Sequence, residues 1–187
     1  MKRTGLFVVL CVLAAVATAQ RVHVHGQGTV QLALDGKQLD VLLTIPAMDV
    51  VGFEHAPANE RQQDAVHIAA SRLADFGQVI RLPEAAGCTV EVAEVKSPLL
   101  EVPAKPAGHR HHHHHHGHHH GQGADDHAEF DGQYRFRCAR PEALRQLSFS
   151  LFDWLPALTL RAELITAEGA SVVTLTQQQP ALALPAR

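Results

Sequence analysis

Apolar and polar residues alternate along much of the chain, and the first such stretch is the clearest. From residue 22 to 45, apolar side chains recur at every second position on both sides of a turn-forming Asp35-Gly36 pair. Because successive side chains of a strand point to opposite faces, this pattern predicts a β-hairpin with one buried face.

Further alternating or short apolar runs predict more strands. The run after residue 127 has its apolar residues at even positions, so they share one strand face. The last two runs are separated by a turn near Glu168-Gly169 and predict a second hairpin. The additional predicted strands cover residues 78–82, 88–95, 128–138, 148–152, 158–164 and 172–176.

One stretch has the period of a helix instead. Asn59 is a favoured N-cap residue, and apolar residues spaced three and four apart follow it to about Phe76. A short helix is also expected over residues 141–147, because proline suits the first helical position. The predicted buried stripe of the main helix is Ala65, Ile68, Ala69, Leu73 and Phe76.

These elements predict an α+β fold, in which roughly seven to eight strands form a mostly antiparallel sheet or sandwich with one main helix packed on it. A pure β-sandwich is the second alternative. We expect one domain over residues 20–180, and a Pro-containing tail that is frayed from Gln177 and leaves 181–187 outside the domain.

Residues 97–126 break every periodicity. They contain three prolines, four glycines and ten histidines but no aromatic residue. Such a segment buries too little apolar surface to order itself, so we expect a mobile His-rich insertion within the domain.

The first 19 residues resemble a cleaved signal peptide. Lys2 and Arg3 precede an apolar run over residues 6–16, and small residues follow at 17–19. The run is too short to span a membrane. We therefore expect an exported, soluble chain without membrane insertion.

Composition agrees with one globular domain, since 46% of the 187 residues are hydrophobic and 19% are charged. Removal of residues 1–19 leaves 14 basic and 19 acidic residues, a net charge of −5. A mildly acidic chain is a poor nucleic-acid binder, so no nucleic-acid partner is expected.

Two cysteines, Cys88 and Cys138, remain after the predicted cleavage. An even pair in an oxidising compartment favours a disulfide. The alternative is a pair of free thiols that serve as metal ligands.

Ten of the fifteen histidines fall within residues 109–120. Neutral imidazole binds Zn²⁺, Cu²⁺, Ni²⁺ and Co²⁺, so this run predicts transition-metal binding. The alternatives are an expression tag, which the internal position disfavours, and an inert polar linker. The candidate ligands in the run are His109, His111, His112, His113, His114, His115, His116, His118, His119 and His120.

His23 and His25 are candidate ligands of a more rigid site. Their spacing would put both imidazoles on one face of the first strand, about 6 to 7 Å apart. The alternative is two polar residues on a solvent-facing surface.

Two other histidines lie next to acidic residues. His55 follows Glu54 in a segment made rigid by Pro57, and His127 precedes Glu129 where the insertion ends. We expect Glu54 and Glu129 to be second-shell partners or spare ligands. His67 lies at the edge of the helix stripe and is expected to be structural.

No nucleophile motif, zinc-protease motif or phosphate-binding glycine loop is present, so we do not expect an enzyme. A metallohydrolase with Glu54 as base remains a minority alternative.

The order of the motifs resembles the ZrgA family of periplasmic zinc-uptake proteins. The likeness covers nearly the whole mature chain. Its most specific parts are Gly-Phe-Glu-His-Ala-Pro at 52–57 and Tyr-Arg-Phe-Arg-Cys at 134–138, with His-x-His-Gly at 23–26 and His-Ala-Glu-Phe at 127–130 in support.

The resemblance implies a protein that captures zinc in the periplasm and passes it to an inner-membrane ABC-type permease. Position by position, it implies metal ligands at His23, His25, His55 and His127. The insertion departs from the family because it is almost pure histidine, with only Asp125 and Asp126 as nearby acids.

Together these arguments predict a folded Zn²⁺ site fed by a His-rich segment. Two alternatives stay open: a periplasmic metal buffer or storage protein, and a nickel or copper chaperone, both without a dedicated importer. Imidazole ligands alone would favour Cu²⁺ over Zn²⁺.

Overall fold

A computed structural model describes residues 24–101 and 127–185. Within these ranges the helices are α1 (Ala47–Val51), α2 (Glu60–Ala74) and α3 (Pro98–Glu101). The strands are β1 (Gln27–Asp35), β2 (Gln38–Pro46), β3 (Cys88–Lys96), β4 (Glu129–Cys138), β5 (Gln146–Ser148), β6 (Thr159–Thr166), β7 (Gly169–Leu175) and β8 (Ala181–Ala183).

Six of the strands form one sheet in the order β3-β4-β2-β1-β6-β7, and β5 pairs with β8 in a small second sheet. All pairs are antiparallel except β1 with β6, which run parallel. The predicted α+β class is confirmed. Both predicted hairpins, β1–β2 and β6–β7, are also confirmed.

The core lies on one face of the six-stranded sheet, under α2 and the irregular segments around it. The even-numbered residues of β1 and β4 and the odd-numbered residues of β2 are buried there, as the alternation predicted. Tyr134 is fully buried, and its hydroxyl donates a hydrogen bond to the Leu73 carbonyl of α2 at 2.7 Å. Burial raises the pKa of Tyr134. This bond ties the helix to β4.

The main helix begins as predicted, because the Asn59 side chain accepts a hydrogen bond from the Gln62 amide. The predicted stripe is only partly correct. Val66, Ala69 and Leu73 are buried, whereas Ile68 is 61% exposed. The helix is rotated from the predicted orientation, because Val66, and not Ala65 or Ile68, fills the core position in this turn.

Two predicted strands and one predicted helix are wrong. Residues 78–82 are irregular after a 3₁₀ turn at Phe76–Gln78, and most of 148–152 belongs to a 3₁₀ turn at Ser150–Asp153. Arg81 forms one isolated bridge with Ser148, the last residue of β5. The segment 141–147 has a 3₁₀ turn at Pro141–Ala143 and then enters β5. All three runs are short, and periodicity alone does not separate strand from turn in short runs.

The C-terminal segment is ordered rather than frayed. β8 pairs with β5, and Leu182 and Leu184 are buried. Apolar residues at alternate positions give this segment a buried face despite its two prolines.

The predicted disulfide between Cys88 and Cys138 is present and joins directly opposed residues of β3 and β4. The insertion was expected to begin at Ser97, but α3 follows at once and buries Leu99. The signal peptide, His23 and the His-rich run at 109–120 lie outside the described residues.

Candidate metal centre

The candidate site lies at the end of the large sheet where β2 finishes and β1 and β4 begin. Pro46, the last residue of β2, pairs with Glu129, the first residue of β4. The amide of Ala47 then donates a hydrogen bond to the Ala128 carbonyl at 2.8 Å. His127, which precedes Ala128, and the loop after α1 are therefore held at the same end of the sheet.

Gly52 and Phe53 direct the loop after α1. Gly52 ends the helix with φ of 83°, a left-handed conformation that glycine adopts without strain. Phe53 is 7% exposed and packs into the core. Because Phe53 is buried in the core, the next residue, Glu54, is held at the end of the sheet where β2 finishes and β4 begins.

His25 lies in a turn before β1 and not on a strand, so the predicted two-histidine strand face is wrong for this residue. The turn is closed by a hydrogen bond from the Gln27 amide to the Val24 carbonyl at 3.0 Å. Val24 is exposed, although the alternation had placed it on the buried face. The parallel pairing of β1 with β6 begins only at Gln27.

Asp49 positions this turn. Its two carboxylate oxygens each lie 2.9 Å from the Gly26 amide, which donates to them. Asp49 was not among the residues predicted from the sequence. An acidic residue in the first turn of the short helix after Pro46 was the available signal, because such residues often bind nearby backbone amides.

Glu54 lies between His25 and His127. Its Oε2 atom is 2.6 Å from Nδ1 of His127, and its Oε1 atom is 3.7 Å from Nδ1 of His25. Glu54 thus contacts His127 and faces His25, two of the four histidines that the sequence singled out.

The carboxylate of Glu54 is largely removed from solvent, with 12% of its side chain exposed. Its Oε1 atom is buried and has no hydrogen-bond partner among the described residues. A buried carboxylate oxygen without a partner is costly, so it favours a nearby donor or cation. A small inward movement of His25 would supply that donor.

The two imidazoles are close to the spacing that one metal ion requires. Their ring centroids are 6.4 Å apart and the planes meet at 77°. Tetrahedral Zn²⁺ with Zn–N distances of about 2.0–2.1 Å brings two ring centroids to roughly 5 Å. Because Nδ1 of both rings faces Glu54, the rings would also have to turn before both Nε2 atoms could bind one ion, and the exposed turn that carries His25 allows such movement without rearrangement of the sheet.

Among the described residues, neither His55 nor Glu129 joins this pair in a group arranged to hold a metal ion. His55 is exposed, stacks on Phe53 with ring centroids 5.2 Å apart, and has Nδ1 2.9 Å from the Ala56 carbonyl. Glu129 lines a cavity of about 330 Å³ on the open face of the sheet. His67 is exposed on α2, as fits a structural surface residue.

Within residues 24–101 and 127–185, no three His, Cys, Asp or Glu side chains are already arranged to hold a metal ion. His25 and His127, with Glu54 between them, could supply two of the four ligands of a tetrahedral site. No helix in the same two ranges is long and apolar enough to cross a membrane.

In a comparison with protein families, residues 22–184 match the model described as "ZrgA family zinc uptake protein". No curated protein matches the chain. The matched range includes His25, Glu54 and His127 and both cysteines of the disulfide. The chain belongs to the ZrgA family of zinc uptake proteins.

Proposed function

We propose that this protein captures Zn²⁺ in the periplasm and delivers it to an inner-membrane ABC-type importer. The observation that carries the proposal is the placement of Glu54 between Nδ1 of His25 and Nδ1 of His127. The role assigned is binding and transfer, without catalysis.

A carboxylate on Nδ1 of a histidine fixes the proton on that nitrogen. The lone pair is then on Nε2, which is the atom free to bind a metal, and the carboxylate increases its basicity. Glu54 prepares His127 in this way, and it would prepare His25 as well once that ring moves from 3.7 Å to hydrogen-bond distance.

His23 and His55 are the remaining ligands in this proposal. His23 is two residues before His25 in the sequence and lies outside the described residues. His55 follows Glu54 directly, and donation from its Nδ1 to Ala56 leaves Nε2 available. Zn²⁺ would complete its tetrahedron by drawing these two imidazoles to the preformed pair.

The His-rich run would supply zinc to this site. His120 is seven positions before His127, so the chain between them spans at most about 25 Å. An ion released by the run therefore stays near the folded site at high effective concentration. A flexible run of histidines distinguishes one metal ion from another less well than a folded site does. In this proposal His25 and His127 therefore determine which metal is bound tightly.

Zinc titration of a variant lacking residues 109–120 tests the folded site. A tight site should survive this deletion and be lost in the deletion variant carrying His25→Ala and His127→Ala. His67→Ala is the matched control, because it removes an exposed histidine elsewhere. If the variant that lacks residues 109–120 and carries no other change has no tight zinc site, the proposal is contradicted. If the protein binds Ni²⁺ or Cu²⁺ more tightly than Zn²⁺ when the metals compete, the result would favour a chaperone for those metals.

Delivery needs a separate measurement. Cells without the protein should accumulate less zinc under zinc limitation, and zinc-loaded protein should copurify with an ABC-type permease from detergent-treated membranes. The His25→Ala, His127→Ala variant should fail to restore uptake. Normal zinc uptake without the protein would indicate a buffer or storage role instead.

A further inference from the structure

β7 is an edge strand that exposes β-branched side chains on both of its faces. β6 is its one neighbour in the described sheet. Every residue of β7 except Leu175 is exposed, with Val172 at 56% and Val173 at 40%. Among the described residues, no strand pairs with its outer side.

The opposite edge of the sheet, β3, has the features that prevent edge-to-edge association. It carries Glu91, Glu94 and Lys96, and its register with β4 shifts between Val90 and Val92. Charges and bulges on an edge discourage pairing with another chain. β7 has neither charge nor proline, and its register with β6 is continuous.

A groove of about 400 Å³ runs beside β7, between this strand and the C-terminal segment. Leu164 and Leu184 supply its apolar walls, and Ser171 lies at its rim. Ser171 is paired with the buried Leu164, so the groove opens toward the core-facing side of β7. Val173 projects from the same side of the strand, because it is two residues from Ser171.

We propose that β7 pairs antiparallel with β7 of a second copy of this chain, centred on Val172. In that register residue 171 of one copy is opposite residue 173 of the other, so each Val173 covers the groove beside the other copy's Ser171. The two Val172 side chains meet on the open face, next to the exposed Ile165. One two-fold axis generates both contacts.

The charge pattern favours a second copy over a different protein. Because β7 carries no charged residue, two copies can pair without repulsion between like charges. For the same reason β7 has no charge that would attract an oppositely charged partner. Val173 and the groove that would receive it lie on the same surface of the protein, so this surface can pair with a second copy of itself. A single added strand pair buries less than the roughly 1,200–2,000 Å² of a stable interface, so the dimer should be concentration-dependent.

Sedimentation equilibrium with a chelator present, which excludes bridging of histidines by metal, tests the proposal. From about 1 μM to 1 mM the average mass of the unmodified protein should rise from one chain toward two. Val173→Lys should raise the dissociation constant at least tenfold. Val90→Lys, the same change at a 41%-exposed position on β3, should leave it unaltered. A monomer at every concentration, or equal loss of dimer in both variants, would overturn the proposal.

A cross-link tests the register. Val172→Cys should give a disulfide-linked dimer under mild oxidation, since directly opposed residues have Cβ atoms about 4.5–5.5 Å apart. Val90→Cys is the matched control and should remain monomeric. Equal cross-linking of both variants would show random collision and would contradict pairing through β7.

Discussion

The carboxylate of Glu54 lies 2.6 Å from Nδ1 of His127, although the two residues are 73 positions apart in the sequence. The same carboxylate faces His25 from its other oxygen. Three separate segments of the chain are thus joined by one acidic side chain that is almost entirely buried.

Replacing Glu54 by Gln should weaken zinc binding by about 10- to 100-fold, the usual effect of losing a carboxylate behind a metal-binding histidine. The amide keeps the shape but no longer favours a proton on both Nδ1 atoms. Isothermal titration of the 109–120 deletion variant measures this. Glu60→Gln, at the exposed start of α2, is the control. Complete loss of the site would instead make Glu54 a direct ligand.

Replacing Asp49 by Ala should weaken zinc binding on the order of tenfold, because hydrogen bonds to a charged acceptor contribute about 1.5–3 kcal/mol. Without that acceptor the Gly26 amide releases the turn that carries His25. The same titration applies, with Asp64→Ala on α2 as control. Unchanged affinity would show that the turn is held by other contacts.

Replacing Gly132 by Ala should destabilise the fold by about 1–3 kcal/mol, the typical effect of overpacking a core. An added Cβ would lie 2.5 Å from the Tyr134 hydroxyl and 2.9 Å from its ring. The ring cannot turn aside without breaking its hydrogen bond to Leu73. Urea unfolding measures the difference. Gly77→Ala, where the new Cβ meets nothing closer than 3.4 Å, should have little effect.

Asp40 should contribute stability at neutral pH that is lost in acid. Burial alone would raise the pKa of Asp40, but hydrogen bonds from Gln38 and Arg135 outweigh it and hold the pKa below its usual value of 3.8. The unfolded state therefore takes up the proton first as pH falls, and stability decreases through and below about pH 4.

The measurement for Asp40 is urea unfolding of the unmodified protein and of Asp40→Asn between pH 7 and pH 2. The difference in unfolding free energy should be at most about 1 kcal/mol at pH 7, since both side chains of the pair are partly exposed. It should shrink toward zero below pH 4. A constant difference across this range would contradict the assignment.

Sequence patterns predicted the sheet well because burial on one face imposes strict alternation. In β4 the buried residues from Phe130 to Cys138 are all even-numbered, and only one register satisfies them. Patterns failed at residues 78–82 and 148–152, where short buried runs meet each other instead of extending a sheet. Nothing local in those runs specifies that contact.

The candidate site was predictable in its residue types and not in its arrangement. His25, Glu54 and His127 each stood out from the sequence, but their meeting depends on the register of β2 with β4 and on the left-handed Gly52. Asp49 acts through a backbone amide, so its role leaves no side-chain motif. The sequence also placed His25 on a strand that begins two residues later.

The way in which the His-rich segment is attached to the sheet allows its length and sequence to vary within the family. Residues 102–126 connect two neighbouring antiparallel strands that are already locked together by the Cys88–Cys138 disulfide and by pairing up to Lys96 and Asp131. Doubling the length of a connection costs only about 0.6 kcal/mol in loop entropy. Residues can therefore be gained or lost in this segment while the rest of the protein keeps its fold.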